Sequence, residues 1–93
     1  MDAAFEAHPA GFHMTYPNGY TVSVMWGPGN YADRGETTAE VAVWDTTKLG
    51  EPFVRIPYAT LLHDQVAARM TAIQVAAILM QVAQALPGEF AIA

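Results

Sequence analysis

The run from Phe12 to Tyr31 constrains the fold more than any other part of the chain, because it fixes a turn and the register of the strands around it. Pro17 presets the backbone angle wanted at the second position of a type I turn. Asn18 tolerates the next position, and Gly19 takes the left-handed one without steric cost. Two loops fit these residues: Asn18-Gly19 alone, or Pro17-Asn18-Gly19 with a bulge at the glycine. The shorter loop sets Thr15 opposite Val22 and His13 opposite Val24, which mixes polar and apolar residues on each face. The longer loop pairs Tyr16 with Tyr20, Met14 with Val22 and Phe12 with Val24. It also pairs Thr15 with Thr21 and His13 with Ser23, so that one face is apolar and the other mostly polar. A slip of one residue turns every side chain to the opposite face, and the longer loop is therefore expected.

Alternation continues elsewhere. Strands are expected at Phe12 to Tyr16, Tyr20 to Trp26, Glu40 to Asp45 and Phe53 to Ile56, with Pro57 suited to a strand end or edge. In the third of these, Val41 and Val43 point one way, and Glu40, Ala42 and Trp44 the other. Gly27 to Glu36 has no period and reads as loop, and Thr46 to Pro52 as a turn around Gly50. Residues 1–11 are weakly patterned: Ala3 to Ala7 reads as a helical turn ended by Pro9 and Gly11, or equally as a flexible stretch. Residues 58–70 are also ambiguous. Leu62, Val66 and Met70 have helical spacing, while His63-Asp64-Gln65 reads as a turn.

The C-terminal signal is sharper. Thr71 and Gln74 form a capping box, and Met70 and Val75 are placed as a hydrophobic staple. The helix is expected from Ala72 to about Leu86, stopped by Pro87-Gly88. Its polar residues, Gln74, Gln81 and Gln84, make one narrow stripe with Ala77; the rest of its circumference is apolar. A helix of that kind is covered on more than one side. Residues 58–70 and the tail from Phe90 to Ile92 are one cover; a homodimer contact through Ile78, Leu79 and Val82 is the other. The expected architecture is α+β: an antiparallel sheet of about four strands packed against one C-terminal helix, as a single domain over residues 1–93.

Composition narrows the function classes. Four Lys or Arg against nine Asp or Glu leave a net charge of −5, and Arg34, Lys48, Arg55 and Arg69 are scattered. A phosphate-binding face needs clustered cations, so nucleic acid is not the expected partner. There is no cysteine, hence no thiol chemistry and no thiolate zinc site. The acidic N-terminal residues lack the basic start of a secretion signal, and the run from Val75 to Met80 falls far short of the ~20 residues a membrane span needs. A cytoplasmic location is expected. Charged residues are 14% of the chain where soluble domains average about 25%, which argues that another chain covers some apolar surface.

No catalytic template fits. Ser23, the single serine, sits in mid-strand outside any nucleophile motif. His8 and His13 are five apart across Pro9 and Gly11, which matches no metal motif, and neither a metal nor a cofactor is expected. His63-Asp64 reads as a turn, and Asp33, Glu36 and Glu40 as solvated carboxylates. Gly27-Pro28-Gly29-Asn30-Tyr31 leads toward a strand, not into a helix whose N-terminus would hold a phosphate. Binding is better supported. The face opposite Val22 and Val24 carries Met25, Ala42, Trp44 and Phe53, with Tyr31 in the adjoining loop. Met25, Tyr31, Trp44 and Phe53 are therefore the candidate partner-binding residues.

The run from Phe12 through Met14-Thr15-Tyr16, Asn18-Gly19-Tyr20-Thr21-Val22-Ser23-Val24 and Trp26-Gly27 to Gly29-Asn30-Tyr31 resembles a group of small proteins encoded by bacteriophages and prophages. The strand Ala39-Glu40-Val41-Ala42-Val43-Trp44 and the threonine-capped helix beginning Thr71-Ala72-Ile73-Gln74 are similar to that group as well. A cysteine is expected there just after Tyr31; this chain has Ala32. The group brings no established activity and no functional residues. The resemblance implies a phage-type setting, and the expected function is a small accessory protein that binds another protein, host-encoded for instance, and is homodimeric. A minor virion structural or assembly protein is the alternative, and a small enzyme comes third.

Overall fold

The computed structural model describes residues 3–26, 38–56 and 67–93. Its elements run β1 (Ala4–His8), β2 (Gly11–Thr15), β3 (Tyr20–Met25), β4 (Ala39–Asp45), β5 (Ala67–Met70) and α1 (Ala72–Gln84). The strands form one five-stranded sheet in sequence order, each antiparallel to its neighbours. Sheet and C-terminal helix together give the α+β fold read from the sequence.

The β2–β3 hairpin has the expected register, with Phe12 opposite Val24, Met14 opposite Val22 and Thr15 opposite Thr21. Tyr16 N–H donates to Tyr20 O at 2.9 Å and Gly19 N–H to Tyr16 O at 2.9 Å, closing the loop of Pro17, Asn18 and Gly19. Gly19 has φ +94°, where a side chain is strained, and a Cβ there would also press on Thr47.

Three segments differ from expectation. Ala3 to Ala7 is not a helical turn: Ala4–His8 is an edge strand, joined to β2 by a tight turn at Pro9-Ala10. Backbone pairing decides this, because β2 offers a free edge that satisfies the peptide groups of β1 in register. Phe53 to Ile56 is not a full strand; Phe53 bridges to Trp44 and Val54 to Ile92, so the segment is shared between β4 and the C-terminal tail. Within the ambiguous stretch, residues 67–70 are a strand rather than helix or turn. They pair with β4 through a register shift at which Arg69 takes φ +55°. Residues 57–66 lie outside those described.

Helix α1 opens on the expected capping box. Thr71 Oγ1 accepts from Gln74 N–H at 3.4 Å, and Gln74 Oε1 accepts from Thr71 N–H at 2.9 Å. The helix follows β5 at once, so the chain folds straight back and lays α1 across β3 and β4. Ile78 and Val82, four residues apart on one face, are fully enclosed there with Val22, Val41 and Val43. This corrects the expected dimer contact: Ile78 and Val82 belong to the chain's own core, and Leu79 packs at its margin. The tail covers the core's end rather than the helix's outer side. Phe90 is buried, its ring centroid 4.9 Å from that of Tyr20, and its N–H donates to the Tyr20 hydroxyl at 2.8 Å.

Candidate functional site

The sheet separates two surfaces. On the face away from α1, alternation and register set Glu6, His13, Ser23 and Ala42 in one cross-strand row, and Thr15, Thr21 and Trp44 in the next. Thr15 and Thr21 share a hydroxyl hydrogen bond of 2.8 Å, and Thr21 bonds onward to Thr46. A cleft of about 220 Å³ lies above them, bounded by Glu6, His13, Thr15, Trp44 and Glu51.

Three of the residues expected to bind a partner lie here and are half-buried. Trp44 meets the Phe53 ring edge-on, at 5.9 Å between centroids and 87° between planes. It meets His13 in the same manner at 5.0 Å and 86°. Met25 stands at the other end of β3, over Gly11, where its sulfur fills the space a Cβ would need. Trp44 and Phe53 are thus brought together, and Met25 is not part of their contact. Tyr31 lies outside the described residues, as do Asp33, Glu36, His63 and Asp64.

Sequence reasoning missed the group that joins them. In β1, Glu6 and His8 are two apart and share a face, and the register sets Glu6 opposite His13. His8 Nε2 lies 2.7 Å and His13 Nδ1 3.9 Å from the same Glu6 oxygen. The two imidazole centroids are 4.2 Å apart. One donor atom from each of Glu6, His8 and His13 falls within 4.8 Å of the others. His8 Nε2 approaches Glu6 outside hydrogen-bond geometry and is buried without a hydrogen-bond partner among the described residues. Burial holds His13 below its ordinary pKa; the neighbouring His8 lowers it further, and Glu6 pulls the other way. The signal was present in the sequence. Ala4, Glu6 and His8 alternate with Phe5 and Ala7, and a two-residue loop at Pro9-Ala10 sets Glu6 against His13.

The α1 side is different in kind. Phe5, exposed over 63% of its surface, stacks on Phe12 at 5.3 Å, and Phe12 meets Trp26 at 6.3 Å. This aromatic strip runs beside the helix. A groove of about 480 Å³ is lined by Phe12, Trp26, Met70, Val75 and Leu79. A second, of about 520 Å³, is lined by Met14, Tyr16, Ala76, Leu79 and Met80. Ile73 and Met80 project outward from α1. Among the described residues, the large exposed hydrophobic side chains include Phe5, Trp26, Ile73 and Met80 but none of Met25, Trp44 or Phe53.

Compared with protein-family models, curated proteins and solved structures, the chain matches none. Among the described residues no helix is long and apolar enough to cross a membrane.

Proposed function

We propose that this chain is a small accessory protein of bacteriophage type, which works in the host cytoplasm by protein–protein binding and is a homodimer. The observation that carries this is the apolar ledge beside α1. A helix is about 10 Å across and strands are about 4.8 Å apart, so one helix covers roughly two strands. Here those are β3 and β4, and the α1-side faces of β1 and β2, with Phe5, Phe12, Met14 and Tyr16, extend past the helix. Among the described residues no charged side chain lines either groove. In a chain of net charge −5, a surface lined by uncharged residues lets a second copy approach with little like-charge opposition.

The phage-type setting is supported by the sequence resemblance, and host-protein binding is what such a setting implies. Light scattering after size exclusion tests the self-association. The expected mass exceeds 10.0 kDa and falls to 10.0 kDa in Phe5→Glu and Met80→Glu, with circular dichroism unchanged. A wild-type protein that stays at 10.0 kDa at the highest attainable concentration sinks the homodimer. Recovery of the chain in purified virions would favour a structural or assembly role instead.

A further inference from the structure

We propose that Glu6, His8 and His13 form a divalent-metal site of the two-histidine, one-carboxylate kind, suited to Zn²⁺. The site is independent of the apolar ledge and lies on the opposite face of the sheet.

Geometry carries it. Zn²⁺ takes imidazole nitrogen and carboxylate oxygen at about 2.0–2.2 Å, which puts tetrahedral ligand atoms about 3.4 Å from one another. The donor atoms found here are separated by 2.7 Å and 3.9 Å on the two Glu6 contacts, and all lie within 4.8 Å. The three side chains need only rotate to bring these atoms onto one ion. The donor chemistry is selective: imidazole with carboxylate suits Zn²⁺, Cu²⁺ and Ni²⁺, whereas Mg²⁺ and Ca²⁺ prefer oxygen throughout.

The competing account is an ordinary ion pair between Glu6 and a protonated His8. It fits the structure less well. His8 Nε2 is buried and 2.7 Å from a carboxylate oxygen, yet makes no hydrogen bond to it. The second imidazole is turned onto the same oxygen, its centroid 4.2 Å from the first, which a single Glu6–His8 pair leaves without a reason. A cation shared by the three donors accounts for both facts, because the ring nitrogens then meet the metal through their lone pairs.

The scaffold suits the task. All three ligands stand on paired strands, whose register fixes their spacing. Trp44, edge-on to His13 at 5.0 Å, limits rotation of that ring. Three protein ligands leave a tetrahedral ion one further position, and the cleft bounded by Glu6, His13, Thr15 and Thr21 gives water or a small anion access to it.

The test is Zn²⁺ titration of the full chain by calorimetry, together with nitrogen-detected NMR of the histidine side chains in the unmodified protein. The expected result is saturation at one ion per chain, with the largest shifts at His8 Nε2 and His13 Nδ1. Glu6→Gln, His8→Gln and His13→Gln are each expected to weaken binding about a hundredfold, at least what loss of an outer-shell partner costs elsewhere. Glu89→Gln, beyond the end of α1, is expected to bind as the wild type does. Absence of one-to-one binding, or largest shifts at His63, overturns the site. The NMR arm uses no variant, so a substitution that fails to fold leaves the outcome decidable.

Discussion

Asn18 shows how much one residue can join. Its side-chain oxygen accepts from Tyr20 N–H at 3.1 Å, the local turn bond expected of asparagine. Its amide nitrogen donates to Val82 O at 2.7 Å and Ala85 O at 2.9 Å, carbonyls at the end of α1, of which that of Val82 also accepts from Ala85 N–H at 3.2 Å. Asn18→Ala is expected to cost about 1–3 kcal/mol, because the partly buried Ala85 carbonyl loses its Asn18 donor and that of Val82 keeps only the Ala85 N–H. Asn18→Asp is expected to be at least as damaging at neutral pH, since it loses the same donors and sets a negative charge against the negative end of the helix dipole. Urea denaturation of the three proteins decides this, and a stable Asn18→Asp would refute the cap. Tyr16 provides a pH signature. Burial raises its phenol above the ordinary value. In the unfolded chain the phenol ionises near pH 10, so above that pH the unfolded state sheds its proton first. The stability Tyr16 contributes is complete below about pH 10 and is lost as pH rises through its higher folded pKa. Denaturation midpoints measured from pH 8 upward should fall less steeply in Tyr16→Phe.

At the scale of elements, each assignment depended on whether its cause was local. The Pro17-Asn18-Gly19 loop and the Thr71–Gln74 box each involve residues within four positions, and both formed where the sequence placed them. Thr71→Ala is expected to destabilise the fold by about 1 kcal/mol, the usual cost of losing such a cap, with Gln74→Ala adding little once the threonine is gone. Thermal melts of the two single variants and the double variant measure that coupling. β1 was missed because its cause is not local. All five of its residues have partners in β2, and without that pairing the segment from Ala4 to His8 shows only weak alternation. β5 was missed for a related reason. Its pairing with β4 requires a register shift and a positive φ at Arg69, which no residue preference announces.

For the whole molecule, the two sides of α1 divide stability from association. Ile78→Ala removes a fully enclosed side chain and is expected to cost about 2–5 kcal/mol. Met80→Glu, on an exposed position two residues away, is expected to change stability by no more than about 0.5 kcal/mol. Denaturation monitored alongside light scattering separates the two: the first variant loses stability, the second loses only the oligomer. A variant Met80→Glu that unfolds instead would mean that this surface is part of the core. The metal-site proposal is separable again, because Glu6, His8 and His13 lie across the sheet from α1.

The sequence by itself determined the α+β class, the β2–β3 register, the face carried by Val22, Val24, Val41 and Val43, and the start of α1. Each follows from side-chain period or from hydrogen bonds between near neighbours, and these are written in the order of residues. Only the tertiary structure decided which side of an almost wholly apolar helix is inside, because α1 offers hydrophobic residues in most directions and the return from β5 selects one. It likewise decided that Glu6, His8 and His13 share one face. Their spacing matches no metal motif along the chain; the β1–β2 register brings their donor atoms within 4.8 Å of one another.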